Sequence, residues 1–266
     1  MGLHSRRERE AIMREIRLRR DGALQAFLRE LRLPDDVGDE QLGHAAHVPA
    51  VAALRDGLAL DPRITVLVGA NGSGKSTLLE AIAVACGLNP EGGGPHLRHA
   101  TRDSHSPLGE HLRVTRGLRI PDDAYFLRAE SLFTIATALD ELAAELPEHA
   151  DATLAGHGGG SLHERSHGEA FLAIARHRLG PDGFYVLDEP EAALSAEGEL
   201  ELLRRLHELV LDGGQFVIAT HSPLLLAYPR ATILRCAPDG VRPVSYDAAG
   251  PVAATRALLR DHRPTT

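Results

Sequence analysis

The chain of 266 residues is 43% hydrophobic and 25% charged, which allows one large domain or two small ones with a substantial core. Its net charge of −8 argues against broad electrostatic binding to nucleic acids, although a local basic patch remains compatible with it. Two cysteines are too few for a disulfide framework, and no apolar run approaches the length of a membrane span. The first residues lack a signal-peptide core, so we expect a cytoplasmic protein with no membrane segment.

The start of the chain predicts a charged helix over residues 1–33. Seven arginines and three glutamates occur in residues 1–20, and this balance favours a solvated face or a partner-docking arm over a nucleic-acid contact. Apolar side chains recur near helical spacing at Ile12, Ile16, Ala23, Phe27, Leu28 and Leu31. We therefore place an N-terminal helical arm at 1–40, ended by a proline and a glycine, and a larger domain at 41–266.

A glycine-rich turn between a strand and a helix is the most specific feature of the sequence. The apolar run Ile64–Val68 predicts a buried strand, and residues 78–86 predict a helix. The residues between them match G-x-x-x-x-G-K-[ST], the phosphate-binding loop (P-loop) of nucleotide-binding proteins: Gly69, Ala70, Asn71, Gly72, Ser73, Gly74, Lys75, Ser76 and Thr77. Lys75, the only lysine, would reach the β- and γ-phosphates of a nucleotide such as ATP, and Ser76 would ligate Mg²⁺. The alternative is a chance glycine turn, which the flanking strand and helix disfavour.

The stretch after that helix, Gly87 to Arg119, is rich in glycine, proline and histidine and predicts a loop followed by a strand. Four histidines cluster in it: His96, His99, His105 and His111. No cysteine or carboxylate pattern completes a zinc site around them, so we favour an ordinary polar loop, which could also contact a partner.

The remaining elements alternate between strands and helices. The predicted strands are 47–54, 58–60, 112–115, 124–127, 184–187, 215–219, 232–235 and 241–245. The predicted helices are 131–145, 168–179, 197–211 and a short one from 253 onward. Buried apolar strands that alternate with helices are typical of a parallel α/β sheet, whose binding edge lies at the carboxyl ends of the strands.

Two acids, Asp188 and Glu189, follow the predicted strand 184–187 at its carboxyl end. In a nucleotide site, Asp188 would hold Mg²⁺ directly or through water, and Glu189 would polarise the attacking water. Adjacent carboxylates also fit a simple strand-end cap, an alternative that the P-loop disfavours. The two acids therefore predict a hydrolytic nucleotide site.

With these residues the chain resembles the ABC-type ATPases over about residues 47–235. The run Arg165-Ser-His-Gly-Glu169 resembles their signature, usually Leu-Ser-Gly-Gly-Gln: Ser166 and Gly168 match it, while His167 and Glu169 depart from it. The resemblance implies that Ser166, Gly168 and Glu169 face the nucleotide held by the opposite subunit of a dimer.

The resemblance also assigns roles to two further residues. His221 follows the strand 215–219 where the superfamily has its switch histidine, which bonds the γ-phosphate; a lone histidine is otherwise more often structural. The glutamine that commonly senses Mg²⁺ is missing, and Glu130 lies about where it belongs, so Glu130 is a candidate for that role. The implied fold class is α/β, a P-loop NTPase sheet of ABC-ATPase type with a small helical subdomain at about 128–180 and an N-terminal charged helix.

Departures from the transporter motors favour a soluble branch. Asp188-Glu-Pro-Glu with Leu194-Ser195, and Thr220-His-Ser-Pro223, resemble small predicted ATPases related to RecF-like and OLD-like proteins. The first hypothesis is thus a soluble, Mg²⁺-dependent ATPase that forms an ATP-dependent homodimer. The alternatives are a motor subunit of a membrane transporter, or an ATP-switched nucleic-acid maintenance or defence module that uses the N-terminal arginines. An unidentified protein or nucleic-acid partner fits each of them.

Overall fold

A computed structural model of the chain describes residues 26–94 and 106–261. The strands are β1 (Leu28–Arg32), β2 (Leu58–Ala59), β3 (Ile64–Val68), β4 (Arg113–Arg116), β5 (Asp123–Arg128), β6 (Gly183–Asp188), β7 (Gln215–Ala219), β8 (Thr232–Ala237) and β9 (Gly240–Pro243). The helices are α1 (Asp39–Leu42), α2 (Pro49–Ala52), α3 (Lys75–Ala85), α4 (Leu108–His111), α5 (Leu132–Glu145), α6 (Ala150–Ala155), α7 (His167–His177), α8 (Ala196–Leu211), α9 (Pro223–Leu226) and α10 (Gly250–Asp261).

The larger sheet has six strands in the order β5-β6-β7-β3-β8-β9, and all neighbours are parallel except the last pair. Every residue of β3, β6 and β7 is buried, because helices and loops cover both faces of a parallel sheet. Alternate residues of these strands belong to two separate apolar clusters, one on each face. This mixed α/β architecture confirms the predicted fold class.

The carboxyl ends of the parallel strands meet at one edge of this sheet. Arg128 at the end of β5 is in register with Asp188 at the end of β6, and Asp188 is in register with Ala219 at the end of β7. Leu67 of β3 also pairs with Ala219. The loops that follow β3, β5, β6 and β7 therefore emerge side by side.

A second sheet, β2-β1-β4, is antiparallel, and the buried side chain of Gln215 links it to the first. The amide of Gln215, the first residue of β7, accepts hydrogen bonds from the backbone N–H groups of Phe27 and Leu28, each at 2.9 Å. It donates to the carbonyls of Leu28 at 2.7 Å and Asp61 at 2.9 Å. Since a net hydrogen bond contributes about 1 kcal/mol, this residue stabilises the junction between the sheets substantially.

Two predicted elements are wrong. Residues 28–32 form strand β1 rather than the end of a helix, because Leu28 and Leu31 face the core while the backbone pairs with β2 and β4. Residues 47–54 form no strand: His47 ends the 3₁₀ turn Gly43–His47, and Pro49–Ala52 form helix α2, since Pro49 occupies the first helical position, which suits proline. The rest of the predicted N-terminal helix lies outside the described residues.

The other predicted strands and helices in the described part of the chain are confirmed, with ends that shift by at most three residues. Three of the clustered histidines, His96, His99 and His105, lie outside the described residues, whereas His111 ends α4. None of the helices in the described part of the chain is long and apolar enough to cross a bilayer.

Candidate active site

The P-loop joins β3 to α3 in a conformation that only glycine fits at two positions. Gly74 precedes α3 with a φ of 95°, in the left-handed region. A Cβ on Gly74 would lie 2.1 Å from Cγ1 of Val48, and one on Gly69 would lie 2.3 Å from the carbonyl oxygen of Cys236. The glycines therefore allow the tight turn and the close approach of neighbouring segments.

Lys75 holds this loop from inside. Its side chain is 4% exposed, and its Nζ donates hydrogen bonds to the carbonyls of Gly69 at 3.0 Å and Ala70 at 3.3 Å. No side chain caps the start of α3. The first backbone N–H groups of a helix lack partners within the helix and, with the helix dipole, favour an anion at that end. The loop thus presents a cation and an uncapped helix N-terminus to the same region.

Asp188 lies beside the P-loop at the end of β6. It accepts a hydrogen bond from the Ser76 hydroxyl at 3.3 Å, and its Oδ2 is 3.6 Å from Nε of Arg128. Burial raises the pKa of Asp188 to about 6, and the positive charge of Arg128 lowers it in part. The structure places Ser76 and Asp188 together, and it adds Arg128, which the sequence analysis did not include.

Arg128 is surrounded by acidic groups. Besides Asp188, it contacts the carboxylates of Glu80, at 3.8 Å, and Glu130. Glu130, the proposed substitute for the missing glutamine, is 72% exposed and pairs with this guanidinium. Arg128 could have been identified from its position directly after the apolar run of β5, at the sheet edge where Asp188 also ends its strand.

Glu189 and His221 approach each other from neighbouring loops. Oε1 of Glu189 is 3.5 Å from Nε2 of His221, and the Glu189 backbone N–H donates to the carbonyl of Ala219 at 2.9 Å. Glu189 has a φ of 46°, an uncommon left-handed conformation for a residue with a side chain. Strained conformations of this kind persist where the surrounding structure enforces them, often at functional sites.

Buried polar atoms without a hydrogen bond cluster at this edge. In residues 26–94 and 106–261 they are Ser73 Oγ, Tyr125 Oη, Arg128 Nε and His221 Nε2. Ser73 Oγ lies on the P-loop, Arg128 Nε lies beside Asp188, and His221 Nε2 lies beside Glu189. Because native structures leave few buried polar atoms without a hydrogen bond, this concentration points to a polar ligand.

A cleft of about 590 Å³ adjoins the P-loop. P-loop residues 69–73, His221, Pro49 and the start of α10 are among its lining. The predicted signature residues Ser166, Gly168 and Glu169 do not line it; they form the start of α7, where a Cβ on Gly168 would lie 3.0 Å from the carbonyl oxygen of Ala193. Lys75, Asp188 and Glu189 are not among the lining residues either. Within one chain, hydrogen bonds, close side-chain contacts and strand register bring the P-loop, Asp188, Glu189 and His221 together, whereas Ser166 and Glu169 at the start of α7 bond each other.

Comparison with known proteins identifies the family. The cytochrome c biogenesis ATP-binding export protein CcmA of Salmonella typhi is 31% identical over 169 residues, which are 59% of this chain and 76% of CcmA. The zinc import ATP-binding protein ZnuC of Cereibacter sphaeroides is 32% identical over 188 residues, 65% of this chain and 70% of ZnuC. The chain belongs to the ABC-type ATPase superfamily. It is accordingly an ATP-hydrolysing enzyme.

A family model and a solved structure also match this chain. A family described as "AAA domain" matches residues 55–112. The SMC head domain from Thermotoga maritima has a TM-score of 0.42 and 18% sequence identity, over 82% of this chain and 99% of that one.

The residues of this ABC-type ATPase fit ATP together with a divalent cation. Gly69 and Gly74 leave no room for a Cβ, Lys75 and the start of α3 suit phosphate oxygens, and three buried side-chain atoms without a hydrogen bond adjoin them. A hydroxyl from Ser76 and a carboxylate from Asp188 are oxygen ligands of the kind that Mg²⁺ prefers. The donor set therefore agrees with Mg²⁺ as the implied metal.

Proposed function

We propose that this chain is a Mg²⁺-dependent ATPase of a soluble, non-transporter kind that acts as a nucleotide-sandwich homodimer. The observation that carries the proposal is the meeting of the P-loop, Asp188, Glu189 and His221 at one sheet edge. The motifs around Glu191 and Ser222, which differ from those of transporter motors, support the soluble branch. We further propose a cytoplasmic location.

Each residue has a definable part in hydrolysis. Lys75 and the P-loop backbone would bind the β- and γ-phosphates and neutralise negative charge that develops there. Glu189 would orient and polarise the attacking water, and His221, 3.5 Å from it, would contact the γ-phosphate. Ser76 and Asp188 would hold Mg²⁺, which supplies charge neutralisation of the phosphate oxygens when bound.

The dimer is proposed because, in the described part of the chain, the side chains of Ser166 and Glu169 hydrogen-bond each other and not the P-loop, Asp188, Glu189 or His221. Ser166 caps an exposed helix N-terminus, a local structure that can donate hydrogen bonds to an anion. If a second copy packs head to tail, Ser166 and Gly168 of one subunit can reach the nucleotide bound by the other. Each site would then be complete only in the dimer.

A transporter motor is the second candidate, and the relatives favour it. CcmA is named as an export protein and ZnuC as an import protein, both ATP-binding. The nucleic-acid or defence alternative depends on arginines in residues 1–20, which lie outside the described residues. It stays a prediction.

The proposal is tested with Glu189→Gln. The variant should still bind ATP, but its glutamine cannot activate the attacking water. The rate of hydrolysis should therefore fall by roughly 10²–10⁴-fold, and an ATP-bound dimer should accumulate. Turnover by phosphate release and mass by light scattering, with and without Mg²⁺, measure both effects. Glu197→Gln, an exposed position on α8, is the matched control and should behave as the wild type.

Three outcomes separate the candidates. A Glu189→Gln variant that stays monomeric with saturating ATP contradicts the sandwich dimer. Co-purification with a helical membrane subunit, or turnover that such a subunit stimulates, would replace the soluble assignment by a transporter motor. Stimulation by DNA or RNA that deletion of residues 1–20 abolishes would instead support the nucleic-acid module.

A further inference from the structure

Glu191 connects the two loops that carry Glu189 and His221. Its side chain accepts a hydrogen bond from the Thr220 hydroxyl at 2.8 Å through one oxygen and another from the backbone N–H of His221 through the other. Glu191 belongs to the short 3₁₀ turn Pro190–Ala192, directly after Glu189. Both of its carboxylate oxygens are therefore engaged by the loop after β7.

The loop after β7 is held internally as well. The Thr220 hydroxyl oxygen accepts a hydrogen bond from the backbone N–H of Ser222 at 2.9 Å, and the side chain of Ser222 bonds Glu199 of α8 and caps α9. Thr220 is fully buried. Glu191 thus bonds a loop that is itself held by further hydrogen bonds. Its two hydrogen bonds therefore position the whole segment Thr220–Ser222 and not a single side chain.

We infer that Glu191 is a positioning residue that holds the His221 ring at its place beside Glu189. This rests on the proposed function of Glu189 and His221. One residue separates Glu191 from Glu189, and the Glu189 backbone is itself anchored to Ala219. The two hydrogen bonds that Glu191 accepts, from the Thr220 hydroxyl and from the backbone N–H of His221, therefore set the separation between the water-activating carboxylate and the ring, which is 3.5 Å.

The kinetic consequence is a change in kcat without a change in nucleotide binding. Glu191 does not line the cleft beside the P-loop, and it contacts neither Lys75 nor Ser76 among the hydrogen bonds of residues 26–94 and 106–261. A misplacement of reacting groups by about 1 Å can reduce a rate about 100-fold. Glu191→Ala should accordingly reduce kcat by about tenfold or more while the KM for ATP changes by less than about twofold.

The conservative variant distinguishes positioning from charge. In Glu191→Gln, the amide oxygen can still accept from the His221 N–H, and the amide NH₂ can donate to the Thr220 hydroxyl oxygen. We expect Glu191→Gln to keep most of the wild-type kcat. Glu197→Ala removes an exposed glutamate on the neighbouring helix and should leave kcat unchanged.

A double-mutant cycle tests whether Glu191 acts through His221. In the wild-type background, Glu191→Ala should lower kcat. In the His221→Ala background it should change kcat by less than about twofold, because the side chain that Glu191 positions is already absent. An equal loss in both backgrounds, or a loss in Glu191→Gln as large as in Glu191→Ala, would overturn the inference. Thermal unfolding of each variant monitors folding.

A measurement without turnover keeps this test separate from the proposed function. The imidazole NMR signal of His221, assigned by its absence in His221→Ala, should shift or broaden in Glu191→Ala and stay in place in Glu191→Gln. An unchanged signal in Glu191→Ala contradicts the positioning role. If the wild-type chain does not hydrolyse ATP, the proposed function fails, while this signal still decides the role of Glu191.

Discussion

The two helix N-termini assigned to phosphate contact, those of α3 and α7, are built in opposite ways. At α3, the capping residue is Gly74, no side chain bonds the first turn, and a buried lysine lies inside the loop. At α7, Ser166 and Glu169 form a reciprocal capping box, with the Ser166 hydroxyl donating to the Glu169 carboxylate at 2.7 Å. The first end is open to an anion, whereas the capping box at the second satisfies two backbone N–H groups, those of Ser166 and Glu169, within its own chain.

Because of this difference, ATP binding by one chain and formation of the ATP-bound dimer depend on different helix ends. The start of α3 can accept phosphate without breaking any side-chain hydrogen bond of a helix cap. At α7, the Ser166 hydroxyl would have to leave a carboxylate that itself repels phosphate. Hydrogen bonds from the hydroxyl and backbone N–H of Ser166 lower the pKa of Glu169, so this carboxylate stays charged at neutral pH. We expect one chain to bind ATP readily and the dimer to form weakly.

The largest effect should come from the open helix end. Lys75→Ala removes the only lysine and two hydrogen bonds to P-loop carbonyls. Charge-assisted bonds to phosphate contribute up to about 3 kcal/mol, so ATP should bind about 100-fold more weakly. Fluorescent-nucleotide titration measures this loss, with Arg63→Ala, a cation away from the P-loop, as the control. Equal affinity for wild type and Lys75→Ala would contradict a phosphate contact from Lys75.

A smaller, opposite effect is expected at the capped end. Glu169→Gln keeps a side chain that can complete the capping box but removes the negative charge that would face the partner's nucleotide. In the Glu189→Gln background, ATP-driven dimerisation should strengthen by about threefold. Analytical ultracentrifugation across an ATP titration measures the dimer, and Glu164→Gln controls for loss of a nearby exposed charge. Weaker dimerisation would mean that the carboxylate itself supports closure.

The P-loop and the start of α3 could largely be predicted from the sequence, because the residues that indicate them are adjacent in the chain. The apolar run of β3, the glycines and Lys75 follow one another directly, and the strands that end at Asp188 and before Thr220 are continuous apolar runs. Each needs only its neighbours in the chain to be recognised. The family resemblance then indicated which strand ends meet.

The features that were missed depend on contacts between distant segments. Residues 28–32 have an apolar spacing compatible with a helix, and their strand form is set by β2, β4 and Gln215, the last of which is 187 residues from Leu28. The importance of Arg128 depends on its parallel register with Asp188. Glu191 is a motif residue whose two hydrogen-bond donors lie 29 and 30 residues further along the chain.

The smallest predicted effect concerns the support of the capped end. The segment before Ser166 rests on the loop after α6, where Arg165 donates hydrogen bonds to the carbonyls of Gly158 and Gly159 at 2.7 and 2.5 Å. His157 in this loop is 8% exposed, and its Nδ1 is 3.0 Å from the carbonyl oxygen of Thr153. Burial lowers the pKa of His157 below its ordinary value of 6.5, an effect that its contact with Thr153 opposes in part.

Acid should therefore destabilise the folded state through His157. The unfolded chain binds this proton at about pH 6.5 and the folded chain only at lower pH, so stability falls as the pH drops below 6.5. At pH 5.5 the loss is at most about 1.4 kcal/mol, or about 2–4 °C in Tm. The decrease in Tm between pH 7.5 and 5.5 should be smaller by this amount in His157→Gln and unchanged in His44→Gln, an exposed histidine. If both variants show the same decrease in Tm as the wild type, the start of α7 does not depend on a neutral His157. Its contrast with the start of α3 then rests on the capping box of Ser166 and Glu169.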